Sequence, residues 1–216
     1  MILYAIYGVS GFGREVIPVA RSMLKKEVST PYEVVFVDDN PVANVVNGHR
    51  VLTYEQFISE GVEQMHVNVA IANSLAREQM VNRCAKDGIS LFSLIAENAV
   101  VLDKNEIGEG AIICPFSMIT SNARIGRAFH ANIYSYVAHD CVIGDYVTFA
   151  PGVKCNGNVV IEDHAYTGTG AILRQGKPGE PLIIGRGAVV GMGAVVTKSV
   201  PPGVTVVGNP ARPLVK

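Results

Sequence analysis

A small α/β domain followed by an all-β parallel coil is the fold class the sequence predicts, and three observations predict it. Residues 1–90 alternate short apolar runs with helix-spaced segments. Beyond about residue 95 helical periodicity is lost and Gly, Val, Ile, Ala and Asn crowd the chain. That second part also repeats every six residues. The expected division is 1–90 for a Rossmann-like βαβ domain and 91–216 for the coil.

The first apolar run, Ile2–Tyr7, ends at Gly8 and reads as a buried strand. Residues 14–26 then carry Val16, Ile17, Ala20, Met23 and Leu24 at helical spacing, which completes a βα unit. Residues 33–37 (Glu-Val-Val-Phe-Val) form a second strand stopped by Asp38-Asp39-Asn40-Pro41, and residues 67–71 a third. A helix follows over residues 74–86, with Ser74 as its expected cap. Strands alternating with helices argue a small parallel sheet of the doubly wound kind.

In the second part, steps of six from Ile107 give Ile113, Ile119, Ile125, Ala131, Val137, Ile143, Phe149, Cys155, Ile161, Thr167 and Leu173. Eleven of these twelve are apolar in a chain that is 49% hydrophobic. Four places further on stand Ala111, Ser117, Ala123, Phe129, Ser135, Cys141, Val147, Val153, Val159, Ala165 and Ala171, nearly all small residues or Val. One large and one small inward residue per hexad make one flat face, and three faces close a coil of about 18 residues. Coils stack by parallel pairing at about 4.8 Å, so about five of them stand roughly 25 Å tall. The register breaks over residues 175–182, Gln-Gly-Lys-Pro-Gly-Glu-Pro-Leu, and resumes shifted at Ile184, Val190 and Val196. A protruding loop or distorted corner is expected there. An antiparallel sandwich would need period two and hairpin turns.

A net charge of −1 lacks the footprint of a nucleic-acid or anionic-membrane binder. No apolar run approaches the roughly 20 residues of a spanning helix, and Met-Ile-Leu-Tyr-Ala-Ile-Tyr runs into glycines without a basic leader. A cytoplasmic protein is expected. Cys84, Cys114, Cys141 and Cys155 show no Cys-x-x-Cys spacing and read as reduced, small, mostly buried residues.

The hexad, with Gly208-Asn209-Pro210-Ala211-Arg212 after Thr197-Lys198-Ser199-Val200-Pro201-Pro202-Gly203, resembles the left-handed β-helix (hexapeptide repeat) acyltransferases that use acetyl-CoA. The βαβ domain in front narrows the resemblance to the sialic acid O-acetyltransferase/UDP-4-amino-sugar N-acetyltransferase group, including the enzymes of UDP-N-acetylbacillosamine formation. The resemblance implies acetyl transfer to the 4-amino group of a UDP-linked 4-amino-4,6-dideoxy sugar for bacterial surface glycan or glycoprotein synthesis. It also implies a homotrimer with acetyl-CoA in the cleft between subunits, and no metal.

His139 falls two places after an inward position, so it should emerge at a corner, where it can take the proton from an attacking amine. Asp140 can orient the ring and stabilise imidazolium, as its counterpart does in the enzymes resembled. Gly157 lies one coil on, at the same corner, where a bare amide could meet a thioester oxygen. A glycine needed only for a tight turn reads the same way. Asn132 matches the family position that contacts the substrate sugar; a structural Asn at a corner is the competing reading. Thr148, Thr169, Met192 within Gly191-Met192-Gly193, Lys198 and Arg212 are the candidates for acetyl-CoA.

In the first domain Gly8-Val9-Ser10-Gly11-Phe12-Gly13 follows a strand and opens a helix, so Ser10, Gly11 and Phe12 are placed to hold a diphosphate. The spacing is not the dinucleotide fingerprint. Asp38 and Asp39, closing the second strand, and Ala72-Asn73, closing the third, lie at the sheet edge where such folds bind ligands. The group usually has His where this chain has Phe12.

Two alternatives differ in chemistry: O-acetylation of a sialic-acid-like sugar, and a zinc carbonic anhydrase, which uses the same helix with three His ligands. For the latter His130, His139 and His164 stand at different hexad phases and do not converge on a tetrahedral site. A non-catalytic scaffold would leave the glycine loop and the tail without a purpose.

Overall fold

The structure is a computed structural model and describes residues 1–214. The chain forms two compact units, Met1–Glu97 and Asn98–Lys216. The division therefore falls after Glu97 rather than at 90. The reason is that the segment after residue 90 still belongs to the first unit: Leu94 is fully buried, and the Glu97 carboxylate accepts from Ser22 and pairs with Lys26 at 2.7 Å.

The first unit is built from β1 (Ile2–Tyr7), α1 (Gly11–Glu27), β2 (Tyr32–Val37), β3 (Val45–Val46), β4 (His49–Leu52), α2 (Tyr54–Ile58), β5 (Gln64–Val69), α3 (Ser74–Lys86) and β6 (Ser90–Leu91). The sheet order is β3-β4-β2-β1-β5-β6, parallel except for the β3–β4 pair. β1 is central, pairs with β2 and β5 on its two sides, and is buried over Leu3 to Tyr7. That explains its near-continuous apolar run. The β3–β4 hairpin, α2 and β6 carry weak sequence signals and were not expected. α3 is capped by Asn73, whose side chain accepts from the Ala76 N–H at 2.9 Å, so the cap stands one residue before Ser74.

In the second unit short parallel strands stack on three faces, the build of a left-handed β-helix. The first face carries Ile112–Ile113, His130–Ala131, Thr148–Phe149, Tyr166–Thr167 and Val189–Val190. The second carries Met118–Ile119, Tyr136–Val137, Lys154–Cys155, Ile172–Leu173 and Val195–Val196. The third carries Arg124–Ile125, Val142–Ile143, Val159–Ile161 and Leu182–Ile184. Partners along a face are 18 residues apart, as in Tyr136↔Lys154. Both inward registers are buried, including Ile113, Ile119, Val137 and Cys155 of one and Ala111, Ala123, Cys141 and Val159 of the other. Thr167, the polar exception, is also fully buried, and its hydroxyl oxygen has no hydrogen-bond partner among the described residues.

Each corner is turned by a column of residues with positive φ. Phe116, Tyr134, Gly152, Gly170 and Gly193 turn the first face into the second. Asn122, Asp140 and Asn158 turn the second into the third. Asn and Asp tolerate this region better than other side chains, which is why polar residues gather there. The break over residues 175–182 is a loop on that second corner. It lengthens the step between partners to 23 residues (Val160↔Ile183) and is closed by paired backbone bonds between Lys177 and Glu180 around Pro178-Gly179.

Candidate active site

His139 follows the strand Tyr136–Val137 and projects at the second corner with its side chain 48% exposed. Its Nδ1–H donates to Asp140 Oδ2 at 2.7 Å. Asp140 itself turns the corner, at φ 58°. One proton on Nδ1 leaves Nε2 with its lone pair free, the form a general base needs.

Gly157 lies on the next coil at the same corner, against the imidazole. A Cβ built on it would stand 2.5 Å from both Cε1 and Nε2 of His139. Only glycine lets the backbone approach the ring so closely. The Gly157 carbonyl accepts from Gly176, while the neighbouring Asn158 N–H bonds back to His139 O at 3.0 Å. The Gly157 N–H has no hydrogen bond among those of the described residues. Lys198, exposed between Val196 and Val200, also sits on this second corner.

The other residues expected around the cofactor are spread over the coil. Thr169, adjoining Gly170, and Met192, 81% exposed beside Gly193, lie on the first corner. Thr148 is on the first face and only 8% exposed. Arg212 is exposed on a final strand antiparallel to Thr205–Val207. Asn132 is at the first corner, where its Oδ1 accepts from the next residue's N–H at 2.7 Å. His130 is buried in the first face at 1% exposed, and His164 stacks on Tyr146 with ring centroids 5.2 Å apart, so the three histidines stand apart.

The first unit holds a crevice of about 360 Å³ at the carboxyl end of its sheet, lined by Gly8, Ser10, Asp38, Asp39 and Ala72 among others. It lies where β1 passes to neighbours on both sides, the switch point of such sheets. Three glycines shape the loop differently. Gly8 has φ 109°, Gly13 touches the Gly8 carbonyl too closely for any Cβ, and Gly11 meets nothing within 4 Å. Neither backbone nor packing therefore requires glycine at position 11. Ser10 is the N-cap of α1, yet its side chain makes no cap hydrogen bond and the first turn holds no acidic residue. The positive end of that helix is thus left for an anion. Phe12 is half-buried in the first turn of the same helix.

The two carboxylates of this crevice differ. Asp38 accepts from the Val9 N–H at 3.4 Å and the Asn40 N–H at 3.0 Å, tying the strand end to the glycine loop. Asp39 accepts from Tyr7 OH at 2.7 Å and pairs with Arg83 at 3.0 Å. The Arg83 guanidinium lies 3.7 Å over the Tyr54 ring and also holds Glu55. Burial, with the Asp39 hydrogen bond second, pushes the Tyr7 hydroxyl well above its ordinary value. Tyr7 and Arg83 were not foreseen; Tyr7 as the last residue of the first strand was the available signal. Asn73 adjoins the crevice, but its side-chain oxygen is engaged in capping α3.

A coil of hexad repeats with an imidazole–carboxylate pair beside a bare glycine, behind a βαβ domain with a phosphate-type loop, defines an acyltransferase of the hexapeptide-repeat class. The chain belongs to the family of the GDP-perosamine N-acetyltransferase of Escherichia coli O157:H7, with which it shares 54% identity over 212 residues, 98% of this chain and 96% of that protein. The family model for the PglD N-terminal domain matches residues 4–84. Among solved structures, WeeI from Acinetobacter baumannii AYE superposes with a TM-score of 0.95 at 57% identity, covering 99% of this chain and 100% of that one. The acetyltransferase domain of PglB from Neisseria gonorrhoeae FA1090, in complex with acetyl coenzyme A, gives 0.87 at 31% identity, with 98% of each chain covered. The protein is an acetyltransferase. Among the described residues no helix is long and apolar enough to cross a membrane.

Proposed function

We propose that the protein transfers the acetyl group of acetyl-CoA to the 4-amino group of a nucleoside-diphosphate-linked 4-amino-4,6-dideoxy sugar. The observation that carries this reading is His139, with Nδ1–H on Asp140, against the bare Gly157 backbone. In this reaction the amine nitrogen attacks the thioester carbonyl carbon while His139 Nε2 takes a proton from it. The Gly157 N–H donates to the oxygen that gains charge. The carbon–sulfur bond then breaks, and the proton on His139 passes to the departing CoA sulfur. Asp140 keeps the ring in the tautomer that the first step needs and stabilises imidazolium between the steps.

The crevice of the first unit binds the nucleotide, with the diphosphate at Ser10, Gly11 and the start of α1 and Asp38 toward the ribose or base. The relative at 54% identity is named for GDP-perosamine, which favours a guanine nucleotide. The uridine nucleotide implied by the resemblance to the UDP-4-amino-sugar N-acetyltransferase group is the second reading. Acetyl-CoA runs along the coil, with Lys198 further along the corner that carries His139 and Thr169 and Met192 on another corner. A ligand touching both corners is most simply lodged between copies, which supports a homotrimer.

CoA release is measured with acetyl-CoA against GDP-perosamine, a UDP-linked 4-amino-4,6-dideoxy sugar, and CMP-linked or free sialic acid. Turnover with a nucleotide-linked 4-amino sugar, with the N-acetylated product seen by mass, is expected. Turnover with sialic acid alone, or with none of the sugars, overturns the reading.

A further inference from the structure

The amide that would meet the thioester oxygen belongs to the peptide unit joining Asn156 to Gly157, and the direction of that unit is set by residues that touch no substrate. Asn156 is pinned through its whole side chain. Its Oδ1 accepts from Tyr136 OH at 2.8 Å, and its Nδ2 donates to the Leu173 carbonyl at 2.7 Å on the following coil. Its own carbonyl accepts from Cys141 Sγ at 3.2 Å, and Cys141 is fully buried. Cys141 also lies 3.7 Å from His139 O and 3.9 Å from Cys155 Sγ, but a thiol has one hydrogen and the Asn156 carbonyl is the nearest acceptor. The Asn156–Gly157 bond is trans. In a planar trans peptide N–H and C=O point opposite ways, so a carbonyl turned toward a core thiol turns the amide outward.

We infer that Asn156 and Cys141 are positioning residues that hold the Asn156–Gly157 peptide with its N–H directed out of the coil at the His139 corner. The inference rests on the proposed acyl transfer at His139. It explains why an Asn on the outer surface of a strand end is tied at both ends, and it gives the inward Cys141 the bond to a carbonyl on the next coil that Ser117 and Ser135 of the same register make to Asn132 and Ala150. Without these anchors the peptide can rotate. An amide that must find its direction anew in each turnover loses the advantage of a donor already in place.

The test uses the full chain with variants Asn156→Ala, Cys141→Ala, Cys141→Ser, Tyr136→Phe and His139→Ala, measuring kcat, KM for both substrates and melting temperature. Asn156→Ala should lower kcat by about tenfold, and Cys141→Ala by a few-fold, with each KM within about twofold of wild type. Cys141→Ser, whose hydroxyl donates to the same carbonyl, should recover most of the loss. A fall in melting temperature alone would not produce that split or that rescue. Should Asn156→Ala fail to fold, Tyr136→Phe removes only the hydroxyl bonded to its Oδ1 and should lower kcat in the same direction. Folded Asn156→Ala and Cys141→Ala with kcat within about twofold of wild type overturn the inference, as does Cys141→Ser matching Cys141→Ala. If those variants are fully active while His139→Ala is dead, the positioning inference alone fails. An active His139→Ala instead removes the reading beneath it.

Discussion

The imidazole of His139 rests on the backbone of Gly157, one coil further along, so closely that a methyl group there would stand 2.5 Å from its Nε2. Base and amide donor are thereby fixed to each other by the repeat itself. Gly157→Ala keeps the N–H but drives the ring from its place, so kcat should fall by about a hundredfold, against about 10²–10⁴-fold for His139→Ala. Asp140→Asn, which leaves a polar partner but removes the charge, should cost less than either. Steady-state CoA release checks all three. A Gly157→Ala enzyme at wild-type rate would mean that the contact has no part in turnover.

The nucleotide crevice separates its two carboxylates by what already holds them. Asp39 is tied to Tyr7 and Arg83, whereas among the described residues Asp38 has only backbone partners, Val9 and Asn40. Asp38→Ala should raise KM for the nucleotide sugar by about tenfold and leave KM for acetyl-CoA unchanged. Asp39→Asn should act on stability first, because it removes one of the two carboxylates that Arg83 pairs with among the described residues. The opposite pattern in the two KM values would reject the assignment of the nucleotide to the first unit.

Ile107 to Leu173 were legible because a six-residue period has a single geometric solution, and every inward position from Ile113 onward is buried. His139 and Gly157 were legible for the same reason: one coil fixes which corners lie over one another. Asn156 was not, since its role depends on a tyrosine 20 residues earlier whose reach the period does not encode. Nor was Arg83, an ordinary helical cation until tertiary contact lays it over Tyr54 and against Asp39. The Asn73 cap was missed by one residue because Asn and Ser compete for the same position in Asn73-Ser74.

Alkaline pH should unfold the first unit early. Burial pushes the Cys84 thiol up from 9.0 to about 11. Burial also raises Tyr7 and Tyr54, each helped second by a carboxylate hydrogen bond, from Asp39 and Asp87. All three are acids that the unfolded chain releases first. The stability they confer is complete below about pH 9 and is lost as the pH rises through the folded values. Urea midpoints should therefore fall from about pH 8 to about pH 11, and Cys84→Ala should make the fall shallower. A flat profile would contradict the buried protonated forms.

Thr167 offers a test of the coil core that leaves the active corner alone. Its register demands an apolar residue, its side chain is fully buried, and its hydroxyl oxygen has no hydrogen-bond partner among the described residues. An unsatisfied buried hydroxyl costs about 1–3 kcal/mol, whereas valine has nearly the same shape and none of that cost. Thr167→Val should raise the melting temperature and the urea midpoint with kcat unchanged, because residue 167 lies on the first face and His139 on the second corner. A lowered melting temperature would show that the hydroxyl is satisfied after all, by an ordered water inside the coil.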